Sequence, residues 1–486
     1  MTNIKHLNNI LFIIFIAVVS CKKDGKILTD PKASLQFSED TIIFDTVFTS
    51  VGTVTHILKI YNDYNQKLSI ASIVLAGGSS SNFRLNIDGE KTTKATDVEI
   101  APHDSLYIFV AATIDPNNAN TPMIVTDSIV FNINGKQQDV DLVAWGQDAY
   151  YIKPTSQLAN IKYSIIAHEN ENITLKTDKP YVVYGYMVVD SAGCLTIPAG
   201  AKLHFHNKSG LWVYRYGCLN VEGTKDSPVV FQGDRLDYQY RDQSNQWDRI
   251  WLNEHSNTKI NYAKILNAFV GIQPDILIDA GLEDSKLILT NTIIANMNVA
   301  GILARYFSIE AYNNLIYNIG GPCLALTYGG NYEFRNSTFV SFWTYPSRKE
   351  SAIILNNFNE IQNFNLEKAI FKNCIIAGNQ TEEVTLNKCD NCTETFNYEF
   401  NNCLIKSSAD LDFTLPNFVN SIKYDKDATI ETNYIFKDYS KNDYHLIENS
   451  PAVAKGISAN LTTTFELNDL DAKPRLSPPS IGCYEY

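Results

Sequence analysis

Hydrophobic and polar residues alternate in short runs along the first third of the chain. Period-two alternation is typical of strands with one buried face, and strands at about 8–12-residue spacing favour a sandwich of two sheets. Six such runs between 41 and 146 are separated by turn-forming residues: TIIFDTVF, THILKIYN, KLSIASIVL, SLYIFVAATI, DSIVFNI and DVDLVAWG. The pattern predicts an immunoglobulin-type β-sandwich over 35–148 and a linker over 149–160.

Short segments recur in the rest of the chain. GCLTIPAG (193–200) returns as GCLNVEGT (217–224), and an Asn that opens a short aliphatic run recurs 22 residues apart at Asn291 and Asn313 and 23 further on at Asn336. Three short strands with their turns fill about this length, so each coil would lie on the previous one at roughly 4.8 Å. The repeat predicts a parallel β-helix over 161–440, with equivalent residues of neighbouring coils in contact.

The residues of both regions resemble known modules. LTIPAGAKLHFHNKSGLWVYRYGCLNVEGTKDSPVVFQGDR (195–235) resembles the opening coils of right-handed β-helix proteins of the pectin-lyase-like superfamily. DYHLIENSPAVAKG and the residues after it are similar to the closing segment of exported bacterial β-helix proteins, here 441–486. IYNDYNQKLSIASIVLAGG (60–78) resembles the Ig-like modules of large surface proteins. The resemblances imply an all-β chain, with an N-terminal Ig-like β-sandwich followed by a right-handed single-stranded parallel β-helix.

The first 21 residues have the features of a targeting segment. Lys5 precedes the apolar run ILFIIFIAVV (10–19), which is too short to span a bilayer and reads as the core of a signal peptide. VVSC resembles a bacterial lipobox, which implies a lipoprotein signal peptide over 1–21, lipidation of Cys21 and a tether over 22–34. The alternative is an ordinary signal peptide with a chance cysteine. Lys22, rather than Asp, after the cysteine favours the outer membrane, on its periplasmic or its outer side.

The charge balance indicates which partners to expect, and the cysteine spacing indicates which thiols lie close together. The chain carries 53 Asp and Glu against 40 Lys and Arg and has no basic stripe, which excludes nucleic acid as the expected partner. Cys194 and Cys218 occupy equivalent positions in neighbouring coils, as do Cys374 and Cys403, and we expect stacked thiols in both pairs because parallel side chains are awkward for a disulfide. CDNC (389–392) predicts a small loop disulfide, and no metal site is expected.

One column of charged residues is the first candidate site. Glu310 and Glu333 stand three residues before aligned Asn positions, and Tyr312, Arg335 and Lys372 stand one residue before them. Two stacked carboxylates repel, which would raise one pKa, and their separation suits a retaining glycosidase. The two cations also suit a uronate carboxylate. The same residues equally fit an ordinary ion-pair ladder between coils.

The second candidate site is an excursion over 232–251 that interrupts the coils. Its ligand-binding candidates are Arg235, Asp237, Trp247 and Arg249, because a tryptophan beside an arginine suits a sugar ring. The alternative role is structural, in which the loop packs on the coils.

The superfamily includes lyases, hydrolases, isomerases, adhesins and members without an assigned activity, so fold does not decide the function. The acidic and histidine clusters of the hydrolases are missing, and after 207 histidine occurs only at 255 and 445. We therefore expect a non-catalytic cell-envelope protein that binds a glycan or an envelope protein and needs no cofactor. The alternative is an enzyme acting on an acidic polysaccharide, a lyase before a hydrolase, and calcium would be required only by a lyase.

Overall fold

The computed structural model of the protein describes residues 26–48, 55–114, 123–276, 285–344, 347–408, 411–425, 434–458 and 466–486. The predicted signal peptide and Cys21 lie outside these residues. The chain divides into two compact units, Met1–Asp148 and Ala149–Tyr486. Within the described residues, no helix has the length and apolar character needed to cross a membrane.

The first unit is a β-sandwich. Its strands are β1 (Gln36–Phe37), β2 (Thr41–Phe48), β3 (His56–Tyr61), β4 (Leu68–Leu75), β5 (Phe83–Ile87), β6 (Glu90–Lys91), β7 (Lys94–Ile100), β8 (Ser105–Ala112), β9 (Met123–Ile133) and β10 (Lys136–Gln147), with a short 3₁₀ turn at Gly78–Ser80. One sheet has the order β1-β3-β8-β5-β6 and is called the β3 sheet; the other has the order β2-β10-β9-β4-β7. Inward residues of both sheets form one hydrophobic core.

All six predicted runs form strands of the sandwich, and the structure adds β1, β5, β6 and β7. The sequence of β7, KATDVEI, is mostly exposed and lacks the alternation that marks a half-buried strand. The predicted tether also ends earlier than expected. The amide of Leu28 donates to the carbonyl of Lys67 at 2.8 Å, and Ala33 is buried in the core. Residues from about 28 onward are part of the sandwich, because their apolar side chains reach its core.

The second unit is a stack of parallel coils. Its strands are β11 (Tyr150–Ile152), β12 (Ser156–Leu158), β13 (Ile161–Ala167), β14 (Asn172–Thr174), β15 (Tyr181–Val183), β16 (Tyr186–Val189), β17 (Cys194–Pro198), β18 (Lys202–Phe205), β19 (Gly210–Val213), β20 (Cys218–Glu222), β21 (Val229–Gly233), β22 (Ile250–Leu252), β23 (Asn257–Asn261), β24 (Ala263–Leu266), β25 (Val270–Pro274), β26 (Lys286–Thr290), β27 (Ile293–Met297), β28 (Ala300–Arg305), β29 (Ser308–Tyr312), β30 (Leu315–Ile319), β31 (Leu324–Thr327), β32 (Gly330–Arg335), β33 (Thr338–Ser341), β34 (Ile353–Asn356), β35 (Leu366–Lys372), β36 (Ile375–Gly378), β37 (Val384–Asn387), β38 (Phe396–Asn401), β39 (Leu404–Lys406), β40 (Phe418–Val419), β41 (Ile422–Tyr424), β42 (Phe436–Asp438) and β43 (Asp443–Leu446), with 3₁₀ turns at Tyr238–Tyr240 and Tyr439–Lys441.

All of these strands except β42 and β43, which pair with each other, lie in the three long sheets of a parallel β-helix. Sheet I contains β11, β15, β18, β21, β24, β27, β30, β33, β36, β39 and β41; sheet II contains β12, β13, β16, β19, β22, β25, β28, β31, β34 and β37; sheet III contains β14, β17, β20, β23, β26, β29, β32, β35, β38 and β40. Most coils supply one strand to each sheet; the first supplies both β12 and β13 to sheet II, and the coil of β39 and β40 has no strand in sheet II among the described residues. The predicted linker belongs to this unit: β11 pairs in parallel with β15, and β12 pairs antiparallel with β13.

The repeated asparagines lie at the turn from sheet III to sheet I, as the spacing predicts. The backbone at these positions is left-handed, with φ values of 50° at Asn291, 55° at Asn313, 46° at Asn336, 51° at Asn373 and 52° at Asn402. Asn tolerates this conformation better than most residues. The Nδ2 of Asn313 donates to Oδ1 of Asn291 at 3.2 Å, and that of Asn373 donates to Asn336 at 3.0 Å. The amide ladder is confirmed for these two pairs, whereas the amides of Asn336 and Asn402 donate to Glu466 and to the carbonyl of Lys455.

The coil interior is aromatic and aliphatic. Phe371 stacks on Phe400 with ring centroids 4.9 Å apart, as the repeated nonapeptides predict. Cys374 and Cys403 are buried free thiols, as expected. Cys194 and Cys218 instead form a disulfide between neighbouring coils, so the expectation of free thiols was wrong for this pair; their Cα atoms lie 4.4 Å apart, within disulfide range. Cys389 and Cys392 form the predicted loop disulfide.

The closing segment packs along the side of the β-helix. The segment includes residues from about 435, earlier than the predicted 441, because β42 pairs with β43. Its buried residues cover the outer face of sheet I: Ile435, Phe436, Tyr444, Leu446, Ala452, Leu470, Ile481, Cys483 and Tyr484 pack against Leu315, Val340, Ile375, Ala377 and Leu404. The segment also contacts the asparagine column. Asn373 Nδ2 donates to Ile457 O at 3.2 Å, and Ile457 N donates to Asn373 Oδ1 at 3.0 Å.

Candidate functional site

The charged column predicted on sheet III is assembled by the coil register. Glu310 pairs with Glu333, and Tyr312 pairs with Arg335, which in turn pairs with Lys372 on the next coil. The five residues therefore lie together on adjacent rungs, as the repeat predicts.

Cations surround Glu333. Arg335 binds it, Lys368 Nζ lies 2.5 Å from Oε2, and Lys372 Nζ lies 3.5 Å from Oε1. Burial alone would raise the pKa of Glu333, but the hydrogen bonds from Lys368 and Arg335 prevail and lower it to about 2. The expectation that repulsion raises a carboxylate pKa here was therefore wrong for Glu333.

The other carboxylate of the column has partners of its own. Lys286 Nζ lies 2.9 Å from Oε1 of Glu310, and the Tyr312 hydroxyl donates to Oε2 at 3.4 Å. Arg335 also reaches Glu466 of the closing segment, with Nη1 3.5 Å from Oε2. Each carboxylate thus faces a cation, an arrangement that stabilises the coils and favours the ionised form of Glu333, which makes it a poor general acid.

The excursion over 232–251 contributes residues to two different environments. Trp247 is 1% exposed, stacks on Phe205 at 4.5 Å and donates from Nε1 to Leu266 O at 2.7 Å, so it belongs to the core and does not face a ligand. Arg235 stays at the surface, where its guanidinium lies 3.7 Å from the ring centroid of Tyr240 and its Nε lies 3.7 Å from Asp237.

The same excursion places Arg249 in a large groove. The groove has a volume of about 1060 Å³ and lies where sheet I turns into sheet II in the first coils. Its lining combines basic residues with aromatic rings and one carboxylate: Lys153, Lys162, Lys208, Arg249, His206, Tyr184, Tyr186, Trp251 and Asp248. We call this feature the sheet II groove.

The carboxylate of the groove is held by its neighbours. The Tyr186 hydroxyl donates to Asp248, and Nε of Arg249 donates to the same side chain at 2.8 Å. Burial, followed by the charge of Asp248, raises the pKa of the Tyr186 hydroxyl far above its ordinary value, which keeps the proton on the phenol. Arg249 also donates to Gln273 on the next coil, so both charged groups are fixed in orientation.

The rim and wall of the groove are aromatic. The imidazole of His206 lies 4.9 Å from the Tyr184 ring and contacts Asp234 through Nδ1 at 2.7 Å. Trp251 stacks on Trp212 of the previous coil at 4.8 Å.

The sequence predicted only some of the residues that line the sheet II groove. Arg249 was a candidate, but the lysines at 153, 162 and 208 stand in turns and at a strand edge with no common motif. The available signal is the aromatic column: Trp212 pairs with Trp251, 39 positions later, across an insertion that hides the repeat.

Comparison with known proteins supports the fold. Residues 167–302 match the family model described as a pectate-lyase like beta helix domain, and this range includes most of the groove. No curated protein matches the chain.

A family 123 glycoside hydrolase from Clostridium perfringens, whose structure was solved to study glycolipid glycan hydrolysis, is among the similar solved structures. The identity is 10%, the match covers 29% of this chain and 30% of that chain, and the TM-score is 0.19. The chain thus spans less than a third of that enzyme's length, and a likeness of this size gives no support for a shared activity.

Proposed function

We propose that the protein is a cell-envelope lipoprotein whose β-helix binds an acidic polysaccharide in the sheet II groove without cleaving it. The supporting observation is the lining of the groove. Three lysines, an arginine and a histidine converge there with aromatic rings, although the whole chain carries a net charge of −13.

The lining suits the chemistry of a uronate chain. Arg and Lys bind carboxylates, and aromatic faces accept the apolar faces of sugar rings. The charges of Lys162 and Lys208 are exposed, so they would attract an anionic chain and set the salt dependence of binding.

The small number of carboxylates that line the sheet II groove favours binding over cleavage. A calcium-dependent lyase needs several oxygen ligands around the cation together with a base, and a glycosidase needs two carboxyl groups at a defined separation. Among the residues that the structure describes as lining the groove, the one carboxylate is Asp248, and Tyr186 and Arg249 already bond to it.

The test compares two double variants of the full chain. Lys162→Ala/Lys208→Ala removes two groove charges, and Lys349→Ala/Lys388→Ala removes two exposed charges elsewhere on the β-helix. We expect the groove variant to bind polygalacturonate about five- to tenfold more weakly, since an exposed ion pair contributes ~0.2–1 kcal/mol. The control should bind as the parent does. Equal affinity of the two variants would exclude the groove as the binding site.

The same samples separate binding from cleavage. Lyase action creates unsaturated chain ends that absorb ultraviolet light. We expect no increase in absorbance when the parent protein is incubated with polygalacturonate, with or without calcium. A calcium-dependent increase that the groove variant loses would replace the binding role with a lyase activity.

A further inference from the structure

The β-sandwich contains a second pocket. It has a volume of about 1070 Å³ and lies on the outer face of the β3 sheet, where strands β5 and β8 and the residues after β6 enclose it. The residues that matter for recognition are Arg84, Asn86, Lys91, Thr93 and Phe109. We call this feature the sandwich pocket.

Strand register explains why these residues meet. Ile57 of β3 pairs with Phe109 of β8, Phe109 pairs with Asn86 of β5, and Asn86 pairs with Lys91 of β6. All four therefore form one row across the sheet. The aromatic and aliphatic members of the row are exposed, with 37% of Phe109 and 48% of Ile57 accessible to solvent.

The polar groups of the pocket define what a ligand must offer. Arg84 is fixed by donating from Nη1 to the carbonyls of Ser81 and Phe83, the latter at 2.8 Å. Together with Lys91 it supplies positive charge, and none of the described residues that line the pocket is acidic. The pocket therefore favours an anion.

Asn86 adds a second requirement. Its Oδ1 is shielded from solvent and has no donor among the residues that the structure describes. The end of this amide that faces a ligand donates or accepts according to its orientation, and a sugar hydroxyl can pair with either end. A bare carboxylate or phosphate can pair only with the amide nitrogen. A ring stacked on Phe109 would complete the contact.

We propose that the sandwich pocket binds an acidic sugar, with its carboxylate or sulfate at Arg84 and Lys91, a hydroxyl at Asn86 and a ring face on Phe109. The sandwich is then a second glycan-binding module of the same chain. Two modules on one chain that bind one polymer raise the avidity without any new contact.

The experiment titrates the full chain with trigalacturonate and, separately, with a sulfated carrageenan oligosaccharide, so that the carboxylate and sulfate sources are distinguished. Phe109→Ala and Arg84→Gln are each placed in the Lys162→Ala/Lys208→Ala background, where the sheet II groove is weakened. Tyr61→Ala is the control, since Tyr61 is an exposed aromatic residue of the same sheet outside the pocket.

We expect Phe109→Ala to weaken the remaining binding about tenfold and Arg84→Gln to weaken it about fivefold, while Tyr61→Ala leaves it unchanged. Unchanged thermal unfolding would show that the variants fold. The proposal is overturned if neither oligosaccharide binds in this background, or if the remaining binding is insensitive to both substitutions.

The outcome is separable from that of the sheet II groove. If the groove alone binds sugar, the parent takes up one equivalent, and only the lysine substitutions reduce it. If the sandwich pocket alone binds sugar, one equivalent is again taken up, but only Phe109→Ala and Arg84→Gln reduce it.

Discussion

Single residues in this protein derive their properties from neighbours one coil away. Glu333 illustrates this most clearly, because Arg335 lies on its own strand while Lys368 and Lys372 lie on the next coil. A carboxylate that three cations hold in its ionised form contributes to stability only while it is charged.

Replacement of Glu333 by Gln tests this contribution. The pKa of Glu333 is lowered from its ordinary 4.5 to about 2, so the stability it provides is fully present above about pH 4.5 and is lost as the pH falls towards 2. We expect Glu333→Gln to lower the free energy of unfolding by about 1–3 kcal/mol at neutral pH and to flatten its decline in that acid range. Urea denaturation across the range measures both effects.

Glu399→Gln is the matched control. Glu399 lies in the same column, two coils from Glu333 and opposite Ile370, and accepts a hydrogen bond from Asn401 at 3.1 Å. Its substitution removes a carboxylate of the same column and leaves the cations around Glu333 in place, so the effect of Glu333→Gln is measured against it. A Glu333→Gln curve that stays parallel to the parent curve through the acid range would show that the cation cluster does not contribute in this way.

The charged column on sheet III shows which contacts can be predicted from the sequence. Glu310, Glu333, Arg335 and Lys372 were brought together correctly because each stands at a fixed distance from an aligned asparagine. Lys368 was missed because it is not paired with Glu333: it lies opposite Asn331, while Ile370 lies opposite Glu333, and its long side chain reaches Glu333 diagonally. Spacing identifies the residue directly opposite but not how far a long side chain extends to a diagonal neighbour.

At the scale of the element, the turn between sheets III and I has two roles. Its left-handed asparagines end five strands of sheet III, β26, β29, β32, β35 and β38, and the amides of Asn313 and Asn373 bond to the asparagine of the preceding coil. The same asparagine column also binds the closing segment. Asn313 donates to Asn468 O at 2.9 Å, and Asn402 donates to Lys455 O at 3.1 Å. The turn is thus also an attachment line for the segment that covers sheet I.

Substitution by Gly separates the two roles, because Gly keeps the left-handed backbone and removes only the amide. We expect Asn373→Gly and Asn291→Gly each to lower the free energy of unfolding by about 1–2 kcal/mol. Only Asn373→Gly should increase hydrogen exchange in residues 447–458, since Asn373 exchanges two hydrogen bonds with Ile457. Equal protection of this segment in both variants would contradict the attachment role.

At the scale of the whole molecule, two units with separate cores follow a segment that carries the predicted lipobox. In our two proposals together, the anchor keeps the sheet II groove and the sandwich pocket at the envelope, where the high local concentration of binding sites favours capture of a dilute polymer. This role depends on lipidation, which only the sequence indicates.

Cys21→Ser tests the anchor. We expect the parent protein, expressed in a bacterium with a lipoprotein pathway, to partition into detergent and to sediment with outer membranes, because several acyl chains stabilise membrane binding by ~0.8 kcal/mol per buried CH₂. The variant should appear in the aqueous phase. Ser20→Ala, which keeps the cysteine, is the control. Equal partitioning of parent and Cys21→Ser would refute the lipoprotein assignment.

The sequence by itself determined the architecture, because a coil repeats its predecessor and equivalent residues must therefore be compatible neighbours. The spacing of Asn291, Asn313 and Asn336 and the two similar nonapeptides that begin at Phe371 and Phe400 both reflect this requirement. The alternation of hydrophobic and polar residues in the first third of the chain predicted the sandwich, because the hydrophobic residues of such a strand all lie on one face.

Only the tertiary structure decided which residues share a surface away from the repeat. Two lysines of the sheet II groove, Lys153 and Lys208, stand outside the strands and Lys162 lies near the start of β13, with no common period. Trp247, a ligand-binding candidate because it lies near an arginine in sequence, lies in the core. The sandwich pocket depends on how four strands are ordered in the β3 sheet. The repeat length predicts which residues of adjacent coils are neighbours. Turns, insertions and strand order bring together residues that are not separated by a fixed number of positions, so these contacts cannot be predicted from the repeat.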